Sequence, residues 1–259
     1  MAEIPRKLLA LSIAELDGKV YTSVTGVDGV GCTYPFVYDL HEDCWFSLPD
    51  LPYWKFVLVT IPDRKQLLAI GGVSSTNDGV KVTNKVFQWD EKWLTPYPDI
   101  PTARCSPSCV SHGSSVMVAG GVTVWNPMTM TRSVEVLHIT DTDSHWSVVE
   151  QLPHVTRGAV PLIVNDNLYI AVGCDEDDQS TCNVVTASLP QLLQSGNNTS
   201  SGQVWNKLPD MPYSSYSIKG CLITFTGDHL VEQPGEDKPV WKLVPLIHIS
   251  NPDIKPSQK

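Results

Sequence analysis

The chain has 259 residues, 42% of them hydrophobic, which is enough to bury a sizeable core as one β domain. Its 28 acidic against 18 basic residues give a net charge of −10 with no basic run, which argues against a nucleic-acid partner because phosphate binding relies on clustered Lys and Arg. The apolar residues come in short runs and none is long enough to span a bilayer, so no membrane partner is expected.

Taken in chain order, 8–14 reads as a first strand rather than a signal-peptide core, because it runs straight into Glu15 and Asp17. The first unit continues through an Asp17-Gly18 turn to Trp45 and the prolines Pro49 and Pro52. In the second unit a strand over 55–61 turns at 62–64 and returns over 67–70 into Gly71-Gly72. Strands at 85–89 and 92–94 follow, the last carrying Trp93 ahead of Ile100-Pro101. The third unit repeats this order: 107–110, a His112-Gly113 turn, 116–119 into Gly120-Gly121, 134–139, then 146–149 with Trp146 and Leu152-Pro153. The fourth has 160–164, a turn at 165–167, 168–172 with the degenerate pair Gly173-Cys174, 184–189, then 204–208 with Trp205. An irregular stretch over 190–202 suits an insertion between its third and fourth strands, with one helical turn near 191–193. A fifth unit begins near 221–225, turns at Gly227-Asp228 and continues to 246–249 without a tryptophan-bearing fourth strand.

Two marks therefore recur in step. The tryptophans Trp45, Trp93, Trp146 and Trp205 are 48, 53 and 59 residues apart, a period at which propellers and solenoids repeat. An apolar run ending in a glycine pair precedes the tryptophan in each inner unit, where the backbone must bend or approach another chain too closely for a side chain.

With Phe87 six residues before Trp93 and Tyr38 seven before Trp45, the units resemble the kelch repeats over nearly the whole chain. The resemblance implies an all-β β-propeller of four-stranded antiparallel blades around a central channel. Blades are expected at about 8–52, 53–101, 102–153 and 154–212, with a partial fifth at 213–250 and a tail at 251–259. Four blades and about three strands make either a five-bladed ring or part of a longer propeller; the second is the expectation. The tryptophans are expected to fill the space between neighbouring sheets.

No local motif announces chemistry. The seven histidines show no ligand spacing, no Gly-rich loop opens a helix, and no nucleophile-elbow sequence occurs, so no catalytic residue, metal or cofactor is expected. The seven cysteines, without zinc spacing, read as thiols in a reducing, cytoplasmic setting, with Cys174 and Cys182 the pair that a folded-back loop could join. The acidic run 175–178 reads as a solvated loop rather than a calcium site. The kelch resemblance implies a non-enzymatic adaptor or scaffold that binds another protein or peptide through loops on one face. The alternative is a sugar-processing or oxidative propeller enzyme with a dispersed site in the channel. Candidate partner-binding residues are Arg104 and Arg157, which follow their proline turns by three or four residues, Tyr216 in the comparable place, and Trp125 beside Asn126-Pro127. For both arginines the competing reading is a bridge between adjacent blades.

Overall fold

The computed structural model describes residues 8–26, 32–76, 79–171, 173–177, 179, 181, 183–195, 204–210, 223–226, 229–232 and 242–245. Blade 1 is a meander of Leu8–Leu16, Lys19–Gly26, Thr33–Asp39 and Cys44–Ser47. Blade 2 pairs Val57–Ile61, Gln66–Ile70, Val86–Trp89 and Trp93–Leu94 in that order. Blade 3 uses Ser108–His112, Ser115–Ala119, Ser133–Ile139 and Ser144–Gln151, and blade 4 uses Val160–Val164, Asn167–Ala171, Val184–Ser188 and Asn206–Leu208. A fifth, three-stranded sheet joins Ile223–Thr226, His229–Glu232 and Lys242–Pro245. Every strand pair is antiparallel, and the fold is an all-β propeller.

The hairpin turns follow from residues that tolerate positive φ. Asp17 and Gly18 take φ of 50° and 73°, and Asn165 and Asp166 take 48° and 58°, the conformation of two-residue turns whose twist matches that of the strands. First strands of successive blades neighbour one another, which puts them around the central axis. Serine hydroxyls tie them across the boundaries: the Leu58 amide donates to Ser12 Oγ at 2.8 Å, and the buried Ser108 hydroxyl donates to the Ala159 carbonyl at 2.9 Å.

The core lies between blades. Val37, Leu48 and Leu51 of blade 1 pack on Phe56, Leu58 and Leu67 of blade 2. Likewise Ile61, Leu68 and Ile70 meet Val116, Val118 and Leu137, and Val134, Val136 and Leu152 meet Leu168, Ile170 and Ala187. Because both sheet faces are covered this way, Val57–Ile61 is buried at every position instead of alternating.

The repeat tryptophans seal these layers. Trp93 packs against the first boundary and Trp146 against the second, while Trp205 is buried in the third. The Trp93 indole donates to the Pro49 carbonyl at 2.7 Å and the Trp146 indole to that of Pro98 at 2.8 Å. Both rings thus hydrogen-bond to the proline turn of the preceding blade, which ties each of these tryptophans to the prolines of the unit before it. Trp45 lies half-buried against Tyr38, ring centroids 5.0 Å apart.

Three features differ from the sequence reading. The helical turn near 191–193 is a longer helix, Leu189–Ser195, because Leu189 and Leu192 are buried on the boundary between blades 3 and 4. The degenerate glycine pair is out of register by one: Cys174 bridges Arg157 as Val73 bridges Trp54 and Val122 bridges Cys105, so Gly173 is the second glycine of its pair. Two ribbons were not anticipated, Val73–Thr76 with Gly79–Val82 in blade 2 and Val122–Val124 with Thr129–Met130 in blade 3. Among the described residues no helix is long and apolar enough to cross a membrane.

Candidate functional site

In an antiparallel meander the segment leading into the first strand and the connection from second to third strand emerge at the same end. Both ribbons are such connections, so they stand at one mouth of the channel. There Trp54, Cys105 and Arg157 hold equivalent positions, each in an antiparallel bridge to the residue after a glycine pair. The residue that follows, Lys55, Ser106 or Gly158, has φ of 57°, 49° or 62°, which turns the chain down into its first strand. The Ser106 amide donates to the Lys55 carbonyl at 3.1 Å and the Gly158 amide to the Ser106 carbonyl at 2.9 Å, so main chain steps from blade to blade around the axis.

Aromatic and cationic groups gather on this frame. Trp54 and Trp125 meet edge to face with centroids 5.0 Å apart. The Lys55 ammonium lies 5.0 Å from the Trp125 ring centre and 5.6 Å from that of Trp54, within cation–π range. Burial lowers the Lys55 pKa, and the like charge of Arg157 lowers it further. Between the ribbons runs a cleft of about 960 Å³ whose walls include Val80, Lys81 and Val82 on one side and Val124, Trp125 and Asn126 on the other. Val80 and Val124 are 42% and 46% exposed, large values for valine on a strand.

The candidate residues part company here. Arg104 is wholly buried, and its guanidinium is 2.5 Å from Glu135, itself wholly buried. It also donates to the carbonyls of Thr102, Gly120 and Ser133 and to the Ser133 hydroxyl at 2.7–3.2 Å. Its main chain meanwhile serves blade 2, accepting from the Gly72 amide at 2.9 Å and donating to the Thr83 carbonyl at 3.1 Å. Arg104 therefore bridges blades 2 and 3 and offers no surface to a partner, which overturns its partner-binding reading in favour of the bridge. Arg157 sits one register position later, aligned with Cys105, and reaches the mouth half-buried beside Lys55. Trp125 is half-buried, packed on Val73, Cys105 and Val122 at its base while lining the cleft. Tyr216 lies outside the described residues, as does Cys182. The reading of sequence alone missed Trp54, Lys55 and the valines of both ribbons; the alternation Val80-Lys81-Val82 and Val122-Thr123-Val124 is the signal that could have found them.

A second cavity, about 520 Å³, lies where blades 3 and 4 meet, with Arg132, His154, Asp175, Glu176 and Asp177 among its lining. Asp175 Oδ1 accepts the amides of Asp177 at 3.1 Å and Gln179 at 2.8 Å, so this carboxylate closes its own loop. Among the described residues no group of three or more His, Cys, Asp or Glu is arranged to hold a metal ion.

The mouth cysteine is chemically quiet. Cys105 lies between Lys55 and Arg157, yet burial outweighs both cations and pushes its thiol up to about 12. The Cys109 thiol is likewise raised to about 12 by burial. At pH 7.5, N-ethylmaleimide is expected to modify exposed Cys32 within minutes, and buried Cys105 only after unfolding, because so high a pKa leaves about a thousandfold less thiolate. Peptide mapping by mass spectrometry reads the result; prompt labelling of Cys105 in the native protein would contradict its burial.

No family profile and no curated protein matches the sequence. Among solved structures, one described as the structure of YjhT superposes with a TM-score of 0.67 at 16% identity, covering 90% of this chain and 73% of that one. The likeness shows the fold.

Proposed function

We propose that the chain is a kelch-type propeller that acts without catalysis, as an adaptor or scaffold holding a partner protein at the ribbon-bearing mouth. The observation that supports this most is the cleft itself: exposed valines, the Trp125 indole braced edge to face by Trp54, and a lysine in the wall are the composition of a docking surface rather than of a reaction centre. Trp54 and Trp125 present large rigid faces that lose little side-chain entropy on binding. The enzyme alternative calls for a reactive group at the channel, whereas Cys105 there is a protonated, buried thiol at neutral pH.

Affinity capture from cell extract with quantitative mass spectrometry, run beside an unrelated propeller, tests this reading. Specific proteins are expected to enrich on the wild type and to fall at least tenfold on Val124→Asp, a change at an exposed position that leaves the blades intact. Equal recovery on the unrelated propeller would remove the proposal's support.

A further inference from the structure

The cleft has features that select among partners. Its lining carries one charge, that of Lys81, in a chain with a net charge of −10. The Lys55 ammonium faces two indole rings, and among the described residues no carboxylate lies within ion-pair distance of it. A local surplus of cations on an acidic protein attracts and orients an anionic segment, which lets the cleft discriminate by charge. One wall is elongated, because Gly79–Val82 is a strand of a two-stranded ribbon and an outer strand of its own, while the other is formed by the end of Val122–Val124 and the turn after it. An edge strand offers main-chain donors and acceptors in a row, to which an extended chain can add while its alternate side chains reach the pockets. The apolar part of the cleft, Val80 and Val82 facing Val124 and Trp125, has room for one aliphatic or aromatic side chain between the ribbons.

From these we infer that the ribbon cleft takes an extended acidic peptide, one apolar side chain seated between Val80, Val124 and Trp125 and a neighbouring carboxylate drawn to Lys81 or to the Lys55 ammonium over Trp125. This deepens the proposed function and rests on its choice of face. Opposite charge, an extended backbone and an apolar anchor are all needed, so neither a charged tail alone nor an apolar segment alone satisfies the site.

Selection of phage-displayed random dodecapeptides on the full chain tests it without a known partner. Enriched sequences are expected to carry Asp or Glu beside Leu, Ile, Val or Phe. Their synthetic peptides, followed by fluorescence polarisation, should lose at least tenfold in affinity on Lys81→Glu and on Val124→Asp. Both positions are exposed, and a melting temperature within about 2 °C of wild type confirms that the fold is retained. Raising the salt from 50 to 300 mM should weaken binding severalfold. Failure to enrich any peptide, enrichment of Lys- or Arg-rich sequences suited to the acidic cavity between blades 3 and 4, or peptides indifferent to both substitutions would overturn the inference. Specific protein capture that persists in those cases would leave the broader adaptor reading standing.

Discussion

Replacing Arg104 by alanine is expected to lower the stability of the propeller by about 3–5 kcal/mol, the cost of leaving the other member of a buried ion pair uncompensated. Glu135 would remain wholly buried with its charge facing Ser133 and the Thr102 amide, the Gly120 carbonyl would lose the guanidinium donor, and the Ser133 carbonyl would keep only the Gly120 amide. Spread over a domain of this size the loss corresponds to a fall of about 6–20 °C in melting temperature. Arg104→Lys should recover little, since an ammonium cannot reach the Glu135, Ser133 and Gly120 acceptors that the guanidinium fork serves together. The double substitution Arg104→Met with Glu135→Leu should lie well above Arg104→Ala, because the desolvation of both charges disappears with them. Thermal and urea melts of the four proteins give the order. Because the pair is buried, 0.5 M salt should leave the differences almost unchanged. A value for Arg104→Ala within 1 kcal/mol of wild type would mean that this network contributes nothing to the junction of blades 2 and 3.

The same arginine shows where sequence reading stops. Arg104 and Arg157 look alike as text, each a cation shortly after a proline turn, but they differ by one position relative to the bridge that fixes the register. One residue along an extended segment reverses the side to which a side chain points, so Arg104 turns into the blade and Arg157 toward the mouth. Spacing from a proline cannot convey that, because the length of the turn is set by packing below it. The tryptophans and glycine pairs were legible since each is a local requirement that recurs from blade to blade, the pair in the inner blades alone: a ring that fills an interblade gap, a bend that admits a neighbour. The ribbons were not, because their short alternating strands pair chiefly with each other, outside the four-stranded blades, and read as loop between stronger signals. Trp54 and Lys55 acquire meaning only when blade 3 brings Trp125 across to them, a contact over seventy positions that no window of sequence contains. Fold was therefore readable where each blade repeats itself, and the site was hidden where blades differ.

Gly71→Ala and Gly120→Ala should each cost about 2–4 kcal/mol, more than the backbone alone explains. Both glycines have positive φ, 65° and 63°, which alanine adopts at a cost of about 1 kcal/mol. The remainder comes from contact. A Cβ on Gly120 would lie 2.5 Å from the Thr156 carbonyl oxygen, and one on Gly71 would overlap the Arg104 carbonyl oxygen. In both cases the obstacle is main chain of the next blade, held there by the second glycine of the pair through Gly72 N–H to Arg104 O at 2.9 Å and Gly121 N–H to Thr156 O at 2.8 Å. It cannot swing aside as a side chain would, so the blades must part, and overpacking of that kind adds about 1–3 kcal/mol. Gly18 supplies the control. Its φ is 73° but nothing lies within 4 Å of an added Cβ, so Gly18→Ala should show the backbone cost alone. Urea denaturation of the three variants separates the two contributions: a clear gap between Gly18→Ala and the other two assigns the glycine pair to close approach between blades. Equal costs for all three would assign it to backbone conformation, and the pair would no longer explain how successive blades are brought into register.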